Sequence, residues 1–129
     1  MSETMPYDKK FLDVNGRKIA YVDEGSGNPI VLLHGNPMSS FLWRNVAPEL
    51  LASGRVIIPD LIGHGDSDKL PASMGPERYA LEVAYDYLSG LLHRLDINAN
   101  VTLVIHDWGI ALGFMWAMRN STAVKGVAY

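Results

Sequence analysis

The stretch Val101-Thr102-Leu103-Val104-Ile105 runs without a linker through His106-Asp107 into Trp108-Gly109-Ile110-Ala111-Leu112-Gly113. A short apolar run that passes directly into a helical pattern is a buried strand entering a helix through one tight turn. Small residues just past such a turn let the helix pack closely behind it. Gly109, Ala111 and Gly113 are placed for that purpose. The polar residue at the corner, Asp107, is then lifted clear of the sheet, beside a helix N-terminus that favours negative charge.

The rest of the chain fits a sheet built around this unit. Phe11–Val14 and Arg17–Asp23 are β-prone runs joined by Asn15-Gly16, and both linking residues accept positive φ, so the pair predicts a hairpin. Ile30–Leu33 and Val56–Ile58 are apolar runs bounded by Gly, Pro and Asp, as expected of strands buried on both faces. Phe41–Leu51 carries Leu42, Val46, Leu50 and Leu51 at helical spacing, with Ser39 or Ser40 as its N-cap. Pro59 to Pro76 reads as a loop. Tyr79–Leu95 is a helix with Leu81, Tyr85, Leu88, Leu92 and Leu95 on its apolar side, and Val101–Ile105 is a third buried strand. Trp108–Arg119 is a helix expected to pack through Ala111, Leu112, Met115 and Met118, and Val124–Tyr129 begins another strand. Strands alternating with helices predict a mostly parallel α/β sheet with helices on both faces, after an antiparallel N-terminal hairpin.

Composition narrows the function classes. The chain has 129 residues, 48% of them hydrophobic, and a formal net charge of −3. Lys9-Lys10 and Arg17-Lys18 are its longest basic clusters, too short for a nucleic-acid-binding face. There is no cysteine, which excludes disulfides, Cys-ligated zinc and a thiol nucleophile. The first ten residues lack an apolar leader and no window is long enough to span a membrane, so a soluble cytoplasmic protein is expected.

Asp107 is the candidate nucleophile. The turn described above is the context of a nucleophile elbow, and the usual occupant of its corner is Ser. A carboxylate needs no base to activate it and can attack an electrophilic carbon directly, forming an ester. Hydrolysis of that ester needs a general base, normally a His oriented by a second acid. The competing role for Asp107 is a plain N-cap of the helix that begins at Trp108.

A second motif lies at the end of an earlier strand, in Ile30-Val31-Leu32-Leu33-His34-Gly35-Asn36-Pro37. In an open α/β sheet, ligands bind at the carboxyl ends of strands near the point where strand order reverses. The Asn36 amide and the Trp108 indole N–H are neutral donors able to hold a small anion in a low-dielectric pocket, and the backbone amides of these residues are the candidate oxyanion hole. That suits a leaving halide.

With His34-Gly35-Asn36-Pro37 and His106-Asp107-Trp108-Gly109, the chain resembles the haloalkane dehalogenases of the α/β-hydrolase superfamily. Ser39-Ser40-Phe41-Leu42-Trp43-Arg44-Asn45 and Asp60-Leu61-Ile62-Gly63-His64-Gly65-Asp66-Ser67-Asp68-Lys69 extend the likeness, which covers about Lys10 to Tyr129. The resemblance implies the α/β-hydrolase fold, Asp107 as nucleophile and Asn36 with Trp108 as halide-binding residues. It also implies a reaction that needs water but no cofactor or metal, and that turns a small haloalkane into an alcohol, a halide ion and a proton. Epoxide hydrolases and Renilla-type luciferases share the Asp-Trp-Gly elbow; Asn36-Pro37 favours the dehalogenases.

The resemblance puts the second acid and the histidine base beyond Tyr129. None of the four histidines is a good substitute: His34 and His106 flank motif residues and should be packed and hydrogen-bonded, His64 sits in the Gly-Asp loop, and His93 faces solvent on its helix. Asp60, Asp66 and Asp68 read as loop architecture rather than a metal site. A single α/β domain commonly runs to about 200–250 residues, so residues 1–129 are expected to be the N-terminal part of a core domain whose remainder and cap lie elsewhere. A non-catalytic fragment is the reading of a different class.

Overall fold

The computed structural model describes residues 5–36 and 38–129; Pro37 of the His-Gly-Asn-Pro motif lies outside them. Six strands form one sheet: β1 (Lys10–Val14), β2 (Arg17–Glu24), β3 (Pro29–Leu33), β4 (Arg55–Pro59), β5 (Val101–Ile105) and β6 (Val124–Ala128). Their order is β1-β2-β4-β3-β5-β6. β1 and β2 form the hairpin expected from Asn15-Gly16, whose φ values are +52° and +81°. β2 is antiparallel to β4, and the remaining pairs are parallel.

The helices are α1 (Ala47–Leu50), α2 (Leu81–Arg94) and α3 (Trp108–Arg119). They cover opposite faces. Side chains alternate along β3 and β4, so Ile30, Leu32, Val56 and Ile58 pack with Ala47, Trp43 and Leu50 on the α1 face. Val31, Leu33 and Ile57 join Leu88, Leu91, Leu112 and Trp116 on the other. β5 is less enclosed than expected: Val101, Leu103 and Ile105 are buried, but Thr102 and Val104 are only half-buried.

Two helix expectations are corrected. Phe41–Leu51 is not one helix but a 3-10 turn at Ser40–Trp43 followed by the four-residue α1. Pro48 is the reason: it has no N–H to donate, and its ring would clash with the carbonyl of residue 44 in a continuous helix. Ser39 caps the 3-10 turn, its Oγ accepting the Phe41 N–H. In α3 the packed stripe is Gly109, Leu112, Gly113 and Trp116, whereas Ala111 is exposed and Met118 is 81% exposed. Leu112 is buried and Met115 packs partly against the core, as expected; Ala111 and Met118 mislead because two glycines give the stripe no hydrophobic signature.

The sheet order sets the place of the site. The chain moves outward from β3 to β4, then returns across β3 to β5, so strand order reverses between β3 and β5. These two strands run in register, Leu33 beside Ile105. Their next residues, His34-Gly35-Asn36 and His106-Asp107-Trp108, therefore leave the sheet side by side at its carboxyl edge.

Candidate active site

Asp107 adopts φ +53° and ψ −120°. A non-glycine residue with positive φ normally sits near ψ +45°, so this is a strained conformation costing about 1–3 kcal/mol. The competing N-cap role would require the carboxylate to accept a backbone N–H of the first helical turn. Its side chain makes no such bond. The corner is instead held by the backbone: the Gly109 N–H donates to His106 O at 2.9 Å and the Ile110 N–H to Asp107 O at 2.8 Å. The carboxylate is exposed and uncommitted to the helix.

Close packing around the corner explains its small residues. A Cβ on Gly109 would lie 2.7 Å from Leu33 O and 2.9 Å from His34 O, so any side chain there would push α3 off the end of β3. On the other side, a Cβ on Gly35 would lie 2.7 Å from both Cβ and Oδ2 of Asp107. The β3 loop thus presses its bare backbone against the carboxylate.

His34 fixes that loop. It is fully buried, and its Nε2 accepts the Leu61 N–H at 3.0 Å while Nδ1 lies 2.6 Å from Gly35 O. A nitrogen that accepts cannot carry a proton, so the ring is neutral with its hydrogen on Nδ1, donating to Gly35 O. Burial lowers its pKa to about 4, against a smaller opposing effect of the Gly35 carbonyl. Gly35 O also accepts the Met38 N–H at 2.9 Å. The β4 loop is thereby tied through one imidazole to the turn that carries Asn36.

Asn36 is exposed and Trp108 half-buried against the core. Both line one cavity of about 80 Å³ beside α2, whose walls also include His64 and Tyr79. That volume exceeds the ~10–15 Å³ needed for one water-sized guest. Asn36 Oδ1 lies 2.9 Å from His64 Nε2, a partnership that no sequence spacing signalled. Tyr79 was likewise missed; its hydroxyl accepts the Leu70 N–H at 2.7 Å and its ring sits against Gly63.

The other histidines fall as follows. His93 is exposed on α2, and His106, which follows the end of β5, is also exposed rather than packed. The aspartates of the β4 loop are consumed by the loop itself. Asp60 is fully buried and accepts Lys9 Nζ at 2.6 Å, the Ser40 N–H at 2.8 Å and the Asp66 N–H at 3.1 Å. Burial alone would raise its pKa, but these donors outweigh that and hold it below its ordinary value. Asp68 accepts the Lys18 N–H, and Asp66 pairs with Lys9. No group of three or more His, Cys, Asp or Glu placed to hold a metal ion occurs among the described residues, nor is any helix there long and apolar enough to cross a membrane.

Comparison with known proteins places this geometry. A haloalkane dehalogenase from Sphingobium indicum is 56% identical over 122 residues, covering 95% of this chain and 41% of that protein. The crystal structure of the haloalkane dehalogenase DatA from Agrobacterium tumefaciens superimposes with a TM-score of 0.84 at 42% identity, over 93% of this chain and 39% of that one. An epoxide hydrolase, CorEH, gives a TM-score of 0.82 at 36% identity, over 93% and 40%. The chain therefore spans about two fifths of the length of these relatives. Residues 28–129 match the family model described as the alpha/beta hydrolase fold, and with a carboxylate-bearing elbow at the reversal of strand order the chain belongs to that family.

Proposed function

We propose that the protein bearing this chain hydrolyses small haloalkanes through an alkyl ester on Asp107. The observation that carries the reading is the strained, uncapped corner at φ +53°, ψ −120°, which holds a carboxylate out of the sheet where a structural cap would have turned inward. An Asp107 oxygen attacks the carbon bearing the halogen, the carbon–halogen bond breaks, and its electron pair leaves with the halide. Asn36 and Trp108 donate to the departing halide, whose charge develops only in the transition state. Water, deprotonated by a base, then attacks the ester carbonyl; alcohol departs and the carboxylate is restored, with a net release of one proton.

The base and its orienting acid belong, on this reading, to parts of the protein outside residues 1–129, as does the cap that selects the substrate. His34 is excluded as the base because both ring nitrogens are committed within the core. No cofactor enters the scheme.

The test is bromide release from a short primary bromoalkane by the full-length protein, beside its Asp107→Ala variant. Repeated turnover by the wild type and none by the variant supports the proposal. Equal release by both sinks it. Turnover of a small epoxide without any bromide release moves the protein to the epoxide-opening branch of the same elbow.

A further inference from the structure

The pairing of Asn36 with His64 raises a question that the halide role of Asn36 leaves open, namely which end of the amide faces the guest. A carboxamide has an acceptor oxygen and a donor nitrogen of nearly equal size, and only the nitrogen end can stabilise an anion. Turned the other way, Asn36 would present a carbonyl oxygen to the halide and repel it. The orientation must be fixed by whatever holds the other end.

We propose that His64 is the positioning residue that fixes this amide, holding Asn36 Oδ1 through its Nε2–H so that the amide N–H donors face the shared cavity; the inference rests on the halide-binding role given to Asn36 above. The 2.9 Å contact between Nε2 and Oδ1 is the only hydrogen bond of the Asn36 side chain among the described residues. With Oδ1 engaged there, the two N–H groups on Nδ2 are the end left for a guest in the cavity that Asn36, His64 and Trp108 line together. The ring itself is braced. Its Nδ1 lies 3.0 Å from Ile62 O, and its centroid is 5.3 Å from that of His34.

The proton on His64 decides the outcome. With Ile62 O accepting from Nδ1, Nε2 donates to Asn36 Oδ1 only when the ring carries a proton on both nitrogens, which is the productive arrangement. A ring carrying its one proton on Nδ1, donating to Ile62 O, offers Nε2 as an acceptor instead. It would then draw the Asn36 N–H groups toward itself and turn the carbonyl into the cavity. His64 does not meet the substrate; it acts through Asn36.

Bromide binding, read by quenching of tryptophan fluorescence in the full-length protein, separates this from a structural role. His64→Ala should weaken bromide binding about tenfold, one step of the roughly hundredfold that loss of a donor to developing charge can cost. His64→Gln, whose side-chain N–H can reach the same oxygen, should restore binding to within about threefold of wild type, since one geometrically sound donor is replaced by another. In an Asn36→Ala background, His64→Ala should add nothing further. The inference is overturned if His64→Ala binds bromide as well as wild type does, or if it causes the same loss with and without Asn36. Haloalkane turnover is followed alongside. Wild type that binds bromide in this His64-dependent way but turns over no haloalkane refutes the proposed function and leaves the inference standing, whereas turnover indifferent to His64 does the reverse.

Discussion

Gly35 and Asp107 approach so closely that the one hydrogen where a Cβ would stand on Gly35 faces the Asp107 side chain, with Asp107 Cβ and Oδ2 each 2.7 Å from that missing carbon. The two residues are 72 positions apart in sequence and each lies two residues past the end of neighbouring parallel strands in register, which is how the sheet brings them together.

A methyl group at this position has nowhere to go without moving the Asp107 carboxylate. Gly35→Ala should therefore cost only about 1–2 kcal/mol of stability, near the low end for overpacking, because the exposed carboxylate can swing aside. Activity should suffer far more, since misplacing a reacting group by about 1 Å can cost roughly a hundredfold in rate. Single-turnover bromide release beside a denaturant melt measures both effects. A variant that melts like wild type and reacts like wild type would show that the contact has no bearing on the carboxylate.

His34 makes the fold sensitive to acid. Its folded-state pKa of about 4 lies below the ordinary 6.5, so between these values the unfolded chain binds a proton that the native state refuses. Stability is then full above pH 6.5 and falls as pH drops toward 4, by about 1.4 kcal/mol per pH unit and roughly 3 kcal/mol in all. Urea melts at pH 7 and pH 5 should differ by about 2 kcal/mol from this residue. Replacing His34 with Gln, which can keep one of the two hydrogen bonds without titrating, should flatten that pH dependence even though the variant is less stable throughout. An unchanged slope in His34→Gln would assign the acid sensitivity elsewhere.

Lys9 and Asp60 form the ion pair that anchors the chain ahead of β1 to the loop after β4, at 2.6 Å. Asp60 is fully buried while the Lys9 side chain retains 18% exposure, so removing the lysine strands a carboxylate that water cannot reach. Lys9→Met should destabilise the fold by about 2–3 kcal/mol, somewhat less than the full cost of breaking a wholly enclosed pair. Adding Asp60→Asn to that variant should recover part of the loss, because the uncompensated charge is then gone. Denaturant unfolding of the three variants tests it, and strictly additive losses would mean that the two side chains do not depend on each other.

The sequence discloses features that are local or periodic. Asn15-Gly16 specifies the hairpin because both residues must take positive φ, and the run from Val101 to Gly113 specifies the corner because strand, polar residue and small residues are contiguous. It was blind where the information is distributed. The packed side of α3 is carried by Gly109 and Gly113, whose role is the space they leave, and a hydrophobic pattern cannot register that. Pro48 breaks the helix that the spacing of Leu42, Val46 and Leu50 predicts. His64 meets Asn36 across 28 residues, because the parallel pairing of β3 with β4 brings the loops that follow them together.

Oxygen labelling in a single turnover decides whether Asp107 itself becomes esterified. With full-length protein in excess over a bromoalkane in heavy-oxygen water, attack by Asp107 gives an alcohol whose oxygen comes from the carboxylate and is light. Hydrolysis at the ester carbonyl leaves the heavy oxygen in the peptide that contains Asp107. If the alcohol instead carries the heavy oxygen and the Asp107 peptide stays unlabelled, water attacks the substrate directly and Asp107 is not the nucleophile.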